Sequence, residues 1–222
     1  MHMQYQNERE TVLETSRKLV EKGLVIGKSG NVSMRLRRVG NSNLMAITPT
    51  SRYYDGLMPA DIPVVDFEGK AVDGGLAPSS EILLHTAIYR TRADVNAVIH
   101  THSTCASAVS VARIDIPPIL EEEVASVGGE IKVARYAKAG TRELARNAVK
   151  ALGDRNAVIL ANHGAVGVGR TMREALTVCE LVEKAATIYL ITLAVGKVNP
   201  LTAEGLASAK ALFARLQSTE DV

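Results

Sequence analysis

Three histidines stand where apolar runs end: His100 closes Asn96-Ala-Val-Ile-His100, His102 follows two residues on, and His163 comes after Ala157–Ala161. Residues two apart on an extended segment point their side chains the same way, so His100 and His102 can grip one cation together. His163 is the natural third ligand, because Gly164 beside it lets backbones approach closely. Three imidazoles and an open position form the donor set of a catalytic metal centre rather than a structural one. One histidine at a strand end is more often a hydrogen-bonded core or surface residue. The set carries the reading, since three of the five histidines hold such positions and an acidic residue, Glu81, stands at the start of a helix.

Glu81 lies in Pro78-Ser79-Ser80-Glu81, where Ser79 or Ser80 can cap the helix and Glu81 is expected in its first turn. An acidic residue there also serves simply to complement the helix dipole. His85, one turn on, could pair with Glu81 as a rival metal site, although a packed helix-face histidine is the better reading. The two serines would offer hydroxyls and free N–H groups to an anion such as phosphate, and capping alone would explain them equally well. Gly27-Lys28-Ser29-Gly30-Asn31 and Thr48-Pro49-Thr50-Ser51 are two further donor-rich loops. Neither is a P-loop, and no dinucleotide glycine fingerprint follows a strand.

The elements that must hold these residues follow from periodicity. A helix is expected from Glu10 to Lys22, stopped by Gly23, then strands over Val32–Val39 and Leu44–Thr48 with a turn at Asn41-Ser42-Asn43. A hairpin turns at Glu68-Gly69, and a helix runs from the serines to about Arg92. Thr104–Arg113 reads as helix, Ile131–Tyr136 as a short strand, Thr141–Leu152 as a helix capped by Thr141, Val166–Val168 as a strand, and Thr171–Val195 as a long helix ended by Gly196. Leu201–Val222 is Ala-rich and helical in part. One three-layer α/β/α domain over residues 1–222, with flanking helices on a central mixed, largely antiparallel sheet, accommodates all of it.

The bulk numbers exclude more than they assign. With 222 residues and 46% apolar content the chain can bury one generous core. Its 26 Lys+Arg and 24 Asp+Glu give a charge of +2 without blocks of either sign, which argues against a nucleic-acid partner. The absence of Trp and 4% aromatic content argue against a sugar- or base-stacking platform, so a bound sugar would be held through polar groups. Cys105 and Cys179 form no paired motif, the N-terminus is polar, and no stretch has membrane-spanning length; a cytoplasmic protein free of the membrane is expected.

Taken in order, SGNVSMR, ITPTS, PSSE, HTH and ANHG at these separations resemble the class II aldolase and adducin family over roughly Leu19 to Val195. The resemblance implies that His100, His102 and His163 bind Zn2+, with Mn2+ or Co2+ as alternatives, and that Glu81 is an acid/base which can also take the metal's open position. It maps a phosphate pocket onto Asn31, Thr50, Ser51, Ser79 and Ser80, with Ser51 where glycine is common. It further implies a homotetramer with active sites at subunit boundaries. Where the family's sugar-phosphate aldolases carry a catalytic tyrosine, this chain has Ile116-Pro-Pro-Ile-Leu-Glu-Glu-Glu123. Glu121, Glu122 or Glu123 would stand in for it, Glu122 before the other two, against the plainer reading of a solvated acidic turn.

The activity so implied is cleavage of a ketose 1-phosphate, of fuculose, 5-deoxyribulose or methylthioribulose type, to dihydroxyacetone phosphate and an aldehyde through an ene-diolate. Dehydration, epimerisation and keto-acid decarboxylation are alternative outcomes of the same intermediate, and family dehydratases lack the PSSE glutamate that this chain keeps. A non-catalytic adducin-like head is expected to lack the metal ligands.

Overall fold

The computed structural model describes residues 4–36 and 43–218. The chain forms α1 (Gln6–Glu21), β1 (Asn31–Arg35), β2 (Leu44–Ile47), a single 3-10 turn (Pro59–Asp61), β3 (Val64–Asp66), β4 (Ala71–Asp73), α2 (Ile82–Thr91) and β5 (Ala97–Thr101). It continues through α3 (Thr104–Ala112), α4 (Glu121–Val127), β6 (Val133–Ala134), α5 (Arg142–Leu152), β7 (Ala157–Leu160), β8 (Gly164–Gly169), α6 (Met172–Val195) and α7 (Ala203–Ser218). The strands make one sheet in the order β4-β3-β2-β1-β5-β8-β7-β6. Every neighbouring pair is antiparallel except β6–β7.

Period-two alternation divides the strand side chains between the two faces. Val98, Val158, Leu160, Val166 and Val168 pack with Leu84, Ile88 and Tyr89 of α2 and with Leu144, Ala148 and Leu152 of α5. Ala97 and Ile99 face the other way, onto Val12, Leu13 and Leu19 of α1 and onto Ala175 and Cys179 of α6. This is the single three-layer α/β/α domain with a mixed, largely antiparallel sheet expected from the sequence. The α6 helix lies close on β8 because Gly167 has no side chain: a Cβ there would fall 2.6 Å from Cys179 Sγ and 3.0 Å from the Ala175 carbonyl oxygen.

Boundaries shift for local reasons. The first helix starts at Gln6, and β1 starts at Asn31; positions 37–42, with most of the Asn41-Ser42-Asn43 turn, lie outside the described residues. Thr141 and Thr171 both cap their helices, Oγ1 accepting from the N–H of Leu144 and Glu174 respectively. The strand expected over Ile131–Tyr136 is reduced to Val133–Ala134, because Ile131 leaves the sheet to form an isolated bridge with Ile116. The acidic run Glu121–Glu123 opens a helix rather than a turn. Glu81 is the N-cap of α2, one position before the expected first turn, and its N–H donates to Ser79 Oγ at 3.2 Å.

Candidate metal centre

The sheet face shared by Val98 and His100 looks onto α2, and Asn31 pairs with His100 across β1 and β5. His100 therefore points at the helix start that carries Glu81. His102 continues the same parity just past β5, and its N–H donates to the Leu24 carbonyl at 3.1 Å. His163 sits in the tight connection between β7 and β8, after Asn162, which adopts a left-handed conformation at φ 54°. Gly164 makes this connection fit, since a Cβ there would lie 2.2 Å from the Thr101 carbonyl oxygen and 2.9 Å from the His102 ring.

Glu81, His100, His102 and His163 thus converge, each offering one atom within 4.8 Å of the others. His100 Nε2 lies 2.9 Å from His102 Nε2, 3.3 Å from His163 Nε2 and 3.0 Å from Glu81 Oε2, and His163 Nε2 is 3.5 Å from Glu81 Oε1. These separations bracket the ~3.3 Å edge of a tetrahedron whose radius is a ~2.0–2.1 Å zinc–imidazole bond. His100 Nδ1–H donates to the Ala165 carbonyl at 2.9 Å, which leaves Nε2 bare and aimed into the cluster. Glu81 Oε1 is buried without a hydrogen-bond partner. Bare imidazole nitrogens gathered around a partnerless carboxylate oxygen fit a divalent cation.

The electrostatics agree with this assignment. Burial first, and the electrostatic influence of neighbouring His100 second, lower the His102 pKa to about 4, and burial likewise lowers that of His163. Burial opposes ionisation of Glu81, but the facing His100 and His163 and the Asn31 amide outweigh it and hold the carboxyl well below the usual range. These shifts favour the neutral ring at His102 and His163 and the charged carboxylate at Glu81, the states that bind a cation.

The anion-pocket candidates are drawn together by backbone pairing. Thr50 N–H donates to the Ala77 carbonyl and Ser79 N–H to the Thr48 carbonyl, both at 3.0 Å, around a Pro49–Pro78 bridge. Thr48 Oγ1 accepts from the N–H of Val32, which ties in the loop ending at Asn31. Asn31 Nδ2 donates to Glu81 Oε2 at 3.1 Å, and Ser79 is buried whereas Ser51 and Ser80 are exposed. Ser51 has φ 55°, a left-handed conformation that glycine adopts more readily than serine. His85 is fully buried on the packed face of α2, outside the metal cluster. Its ring bonds Asn31 and Ser33 across more than fifty residues of chain, a link with no local trace in the sequence.

The three glutamates of α4 separate by environment. Glu123 is fully buried, with Oε2 accepting from the N–H groups of Ile119 and Leu120 at 3.3 and 3.4 Å, and burial raises its pKa to about 7. Glu122 is exposed and paired with Lys184 of α6, and Glu121 is also exposed. None of the three joins the metal cluster. Sequence reading missed Glu183 of α6, which accepts from the N–H groups of Cys105 and Ala106, both at 2.9 Å, and so closes the start of α3 just after His102.

Comparison with known proteins agrees with this arrangement. The family model for the class II aldolase and adducin N-terminal domain matches residues 10–190. A 5-deoxy-D-ribulose 1-phosphate aldolase from Bacillus thuringiensis serovar kurstaki is 35% identical over 195 residues, 88% of this chain and 90% of that protein. The L-fuculose phosphate aldolase of Escherichia coli K12 is 37% identical over 193 residues, 87% of each. A solved L-fuculose 1-phosphate aldolase superimposes with a TM-score of 0.88 at 35% identity, over 96% of this chain and 98% of that one. With its motifs, fold and ligand geometry all in register, the chain belongs to the class II aldolase and adducin family.

Proposed function

We propose that this chain is a zinc-dependent aldehyde-lyase that cleaves a ketose 1-phosphate of the 5-deoxyribulose, methylthioribulose or fuculose type to dihydroxyacetone phosphate and an aldehyde. The observation that carries this reading is the convergence of His100, His102 and His163 with Glu81, whose buried Oε1 has no hydrogen-bond partner. A non-catalytic head would have no use for that arrangement. Zinc suits three neutral imidazoles and a carboxylate, with Mn2+ and Co2+ as the alternatives. When bound, the cation supplies Lewis-acid polarisation of the ketone and stabilisation of the developing negative charge.

The protein's own groups do the rest. Asn31, Thr50, Ser51, Ser79 and Ser80 hold the phosphate through hydroxyl and amide donors, since an amide nitrogen carries two protons and Asn31 commits one of them to Glu81. Glu122 takes the proton of the C4 hydroxyl as the C3–C4 bond breaks. Glu81, ionised in the resting site, takes up one proton from solvent and delivers it to C3, so the proton gained by Glu122 balances the one that Glu81 passes on. Glu123 is committed to its own helix start, which leaves Glu122 the better candidate in α4. We place the active site at a subunit boundary of a homotetramer, where Glu122 of one copy serves the next. The exposed apolar residues Ile191, Leu193 and Val195 at the end of α6 support association. Two free cysteines suit the reducing cytoplasm.

The test is a dihydroxyacetone phosphate assay across several ketose 1-phosphates, with Glu81→Gln run alongside and metal measured in both proteins. The expected result is cleavage of at least one substrate, with Glu81→Gln keeping metal and losing ~100- to 10,000-fold in kcat. Release of no dihydroxyacetone phosphate from any of them would overturn the reading.

A further inference from the structure

Behind the metal cluster, a line of buried polar groups runs from Glu81 into the core. Asn31 Nδ2 donates to Glu81 Oε2 at 3.1 Å, and Asn31 Oδ1 meets His85 Nε2 in a short contact. His85 Nδ1 lies 2.6 Å from Ser33 Oγ, which lies 2.8 Å from the Tyr89 hydroxyl. Asn31, Ser33, His85 and Tyr89 are all buried, where a group without a partner is costly, so the donors and acceptors must alternate without a break.

That requirement sets every proton. A carboxylate only accepts, so Asn31 must turn its NH2 to Glu81 and its oxygen to His85. The oxygen also only accepts, so His85 must carry its proton on Nε2. Nδ1 is then bare and takes the Ser33 hydroxyl proton, and Ser33 Oγ in turn accepts from Tyr89. The Tyr89 hydroxyl lies closer to Ser33 at 2.8 Å than to its second acceptor, the Asn96 carbonyl, at 3.4 Å. Reversing any one link would bring two acceptors or two donors face to face.

We infer that Tyr89, Ser33 and His85 form a one-way hydrogen-bond chain that locks the Asn31 amide and thereby positions the Glu81 carboxylate over the metal ligands. His85 is a positioning residue, since it lies outside the metal cluster and acts on Glu81 only through Asn31. The inference rests on the proposed role of Glu81. Burial, reinforced by nearby His100, keeps the His85 ring neutral by lowering its pKa to about 3, as a single-tautomer imidazole requires.

Two readouts test the chain without relying on turnover. In 15N-histidine spectra of the whole protein, His85 should show a protonated Nε2 and a bare Nδ1. In the Co2+-loaded protein, His85→Leu should shift the visible ligand-field bands toward those of Glu81→Gln and lower kcat ~10- to 100-fold. His85→Gln, which can still donate to Asn31, should keep wild-type bands and most of the activity. A role in packing alone would favour leucine over glutamine. If His85→Leu fails to fold, Ser33→Ala provides the same comparison, expected as loss of the single His85 tautomer together with the band shift. A protonated Nδ1 in the wild-type protein, or unchanged cobalt bands in a folded His85→Leu or Ser33→Ala protein, would overturn the inference. Failure of the wild-type protein to cleave any ketose 1-phosphate would instead strike the proposed function, while the tautomer and cobalt bands still decide the chain.

Discussion

Ser51 carries a side chain in a conformation that glycine adopts without strain, at φ 55° in the loop that Thr50 ties to Ala77. If its hydroxyl faces the phosphate, Ser51→Gly should keep kcat and raise KM ~3- to 10-fold, with stability within about 1 kcal/mol; steady-state kinetics and urea unfolding check both parts. Gly164 is the opposite case. A Cβ there would strike the Thr101 carbonyl oxygen at 2.2 Å, so Gly164→Ala should cost about 3 kcal/mol and lose bound metal, seen by thermal unfolding and metal analysis. The convergence of the three histidines beside Gly164 was legible because a strand end, a two-residue spacing and an adjacent glycine leave a local trace. The bond from Asn31 to Glu81 leaves none, for it joins residues 50 positions apart and exists only when β1 lies beside β5 under α2.

At the scale of elements, Glu183 supplies from α6 the cap that α3 lacks from its own Ser103. Glu183→Ala should cost about 2 kcal/mol in denaturant unfolding and weaken Zn2+ binding ~10-fold in a competition titration, because His102 immediately precedes the loosened turn. Glu123 predicts a pH effect. Its folded pKa is raised to about 7 from an ordinary 4.5, so the native state holds a proton that the unfolded chain has released. The corresponding stability is present below pH 4.5 and lost as pH rises to about 7, with a slope of at most ~1.4 kcal/mol per pH unit. Urea unfolding at pH 5 and pH 8 should show a smaller pH difference in Glu123→Gln than in wild type. Helices with capping threonines and periodic apolar faces were readable from the chain, but α4 was not. Its start depends on Glu123 folding back onto Ile119 and Leu120, and an acidic triplet looks the same in a solvated turn.

For the whole molecule, the layered fold followed from alternating strands and amphipathic helices, whereas the strand order did not, because β8 inserts between β5 and β7 through contacts with no local signal. The metal site draws His100 from β5, His102 from just beyond it and His163 from the β7–β8 connection, so bound metal should hold the centre of the sheet together. Chelation should lower the melting temperature, and equimolar Zn2+ should restore it, by the linkage of binding to the folded state.

The pairing of β5 with β8 also sets the order of events when the protein is made. His100 and His102 leave the ribosome some sixty residues before His163, and they meet it only after β8 has closed against β5. A chain arrested before His163 therefore holds Glu81, His100 and His102 without the residue that closes the cluster, and the full set of four assembles only once β8 is made and paired. An ion that needs all four groups should consequently bind only chains that have already joined the two halves of the sheet.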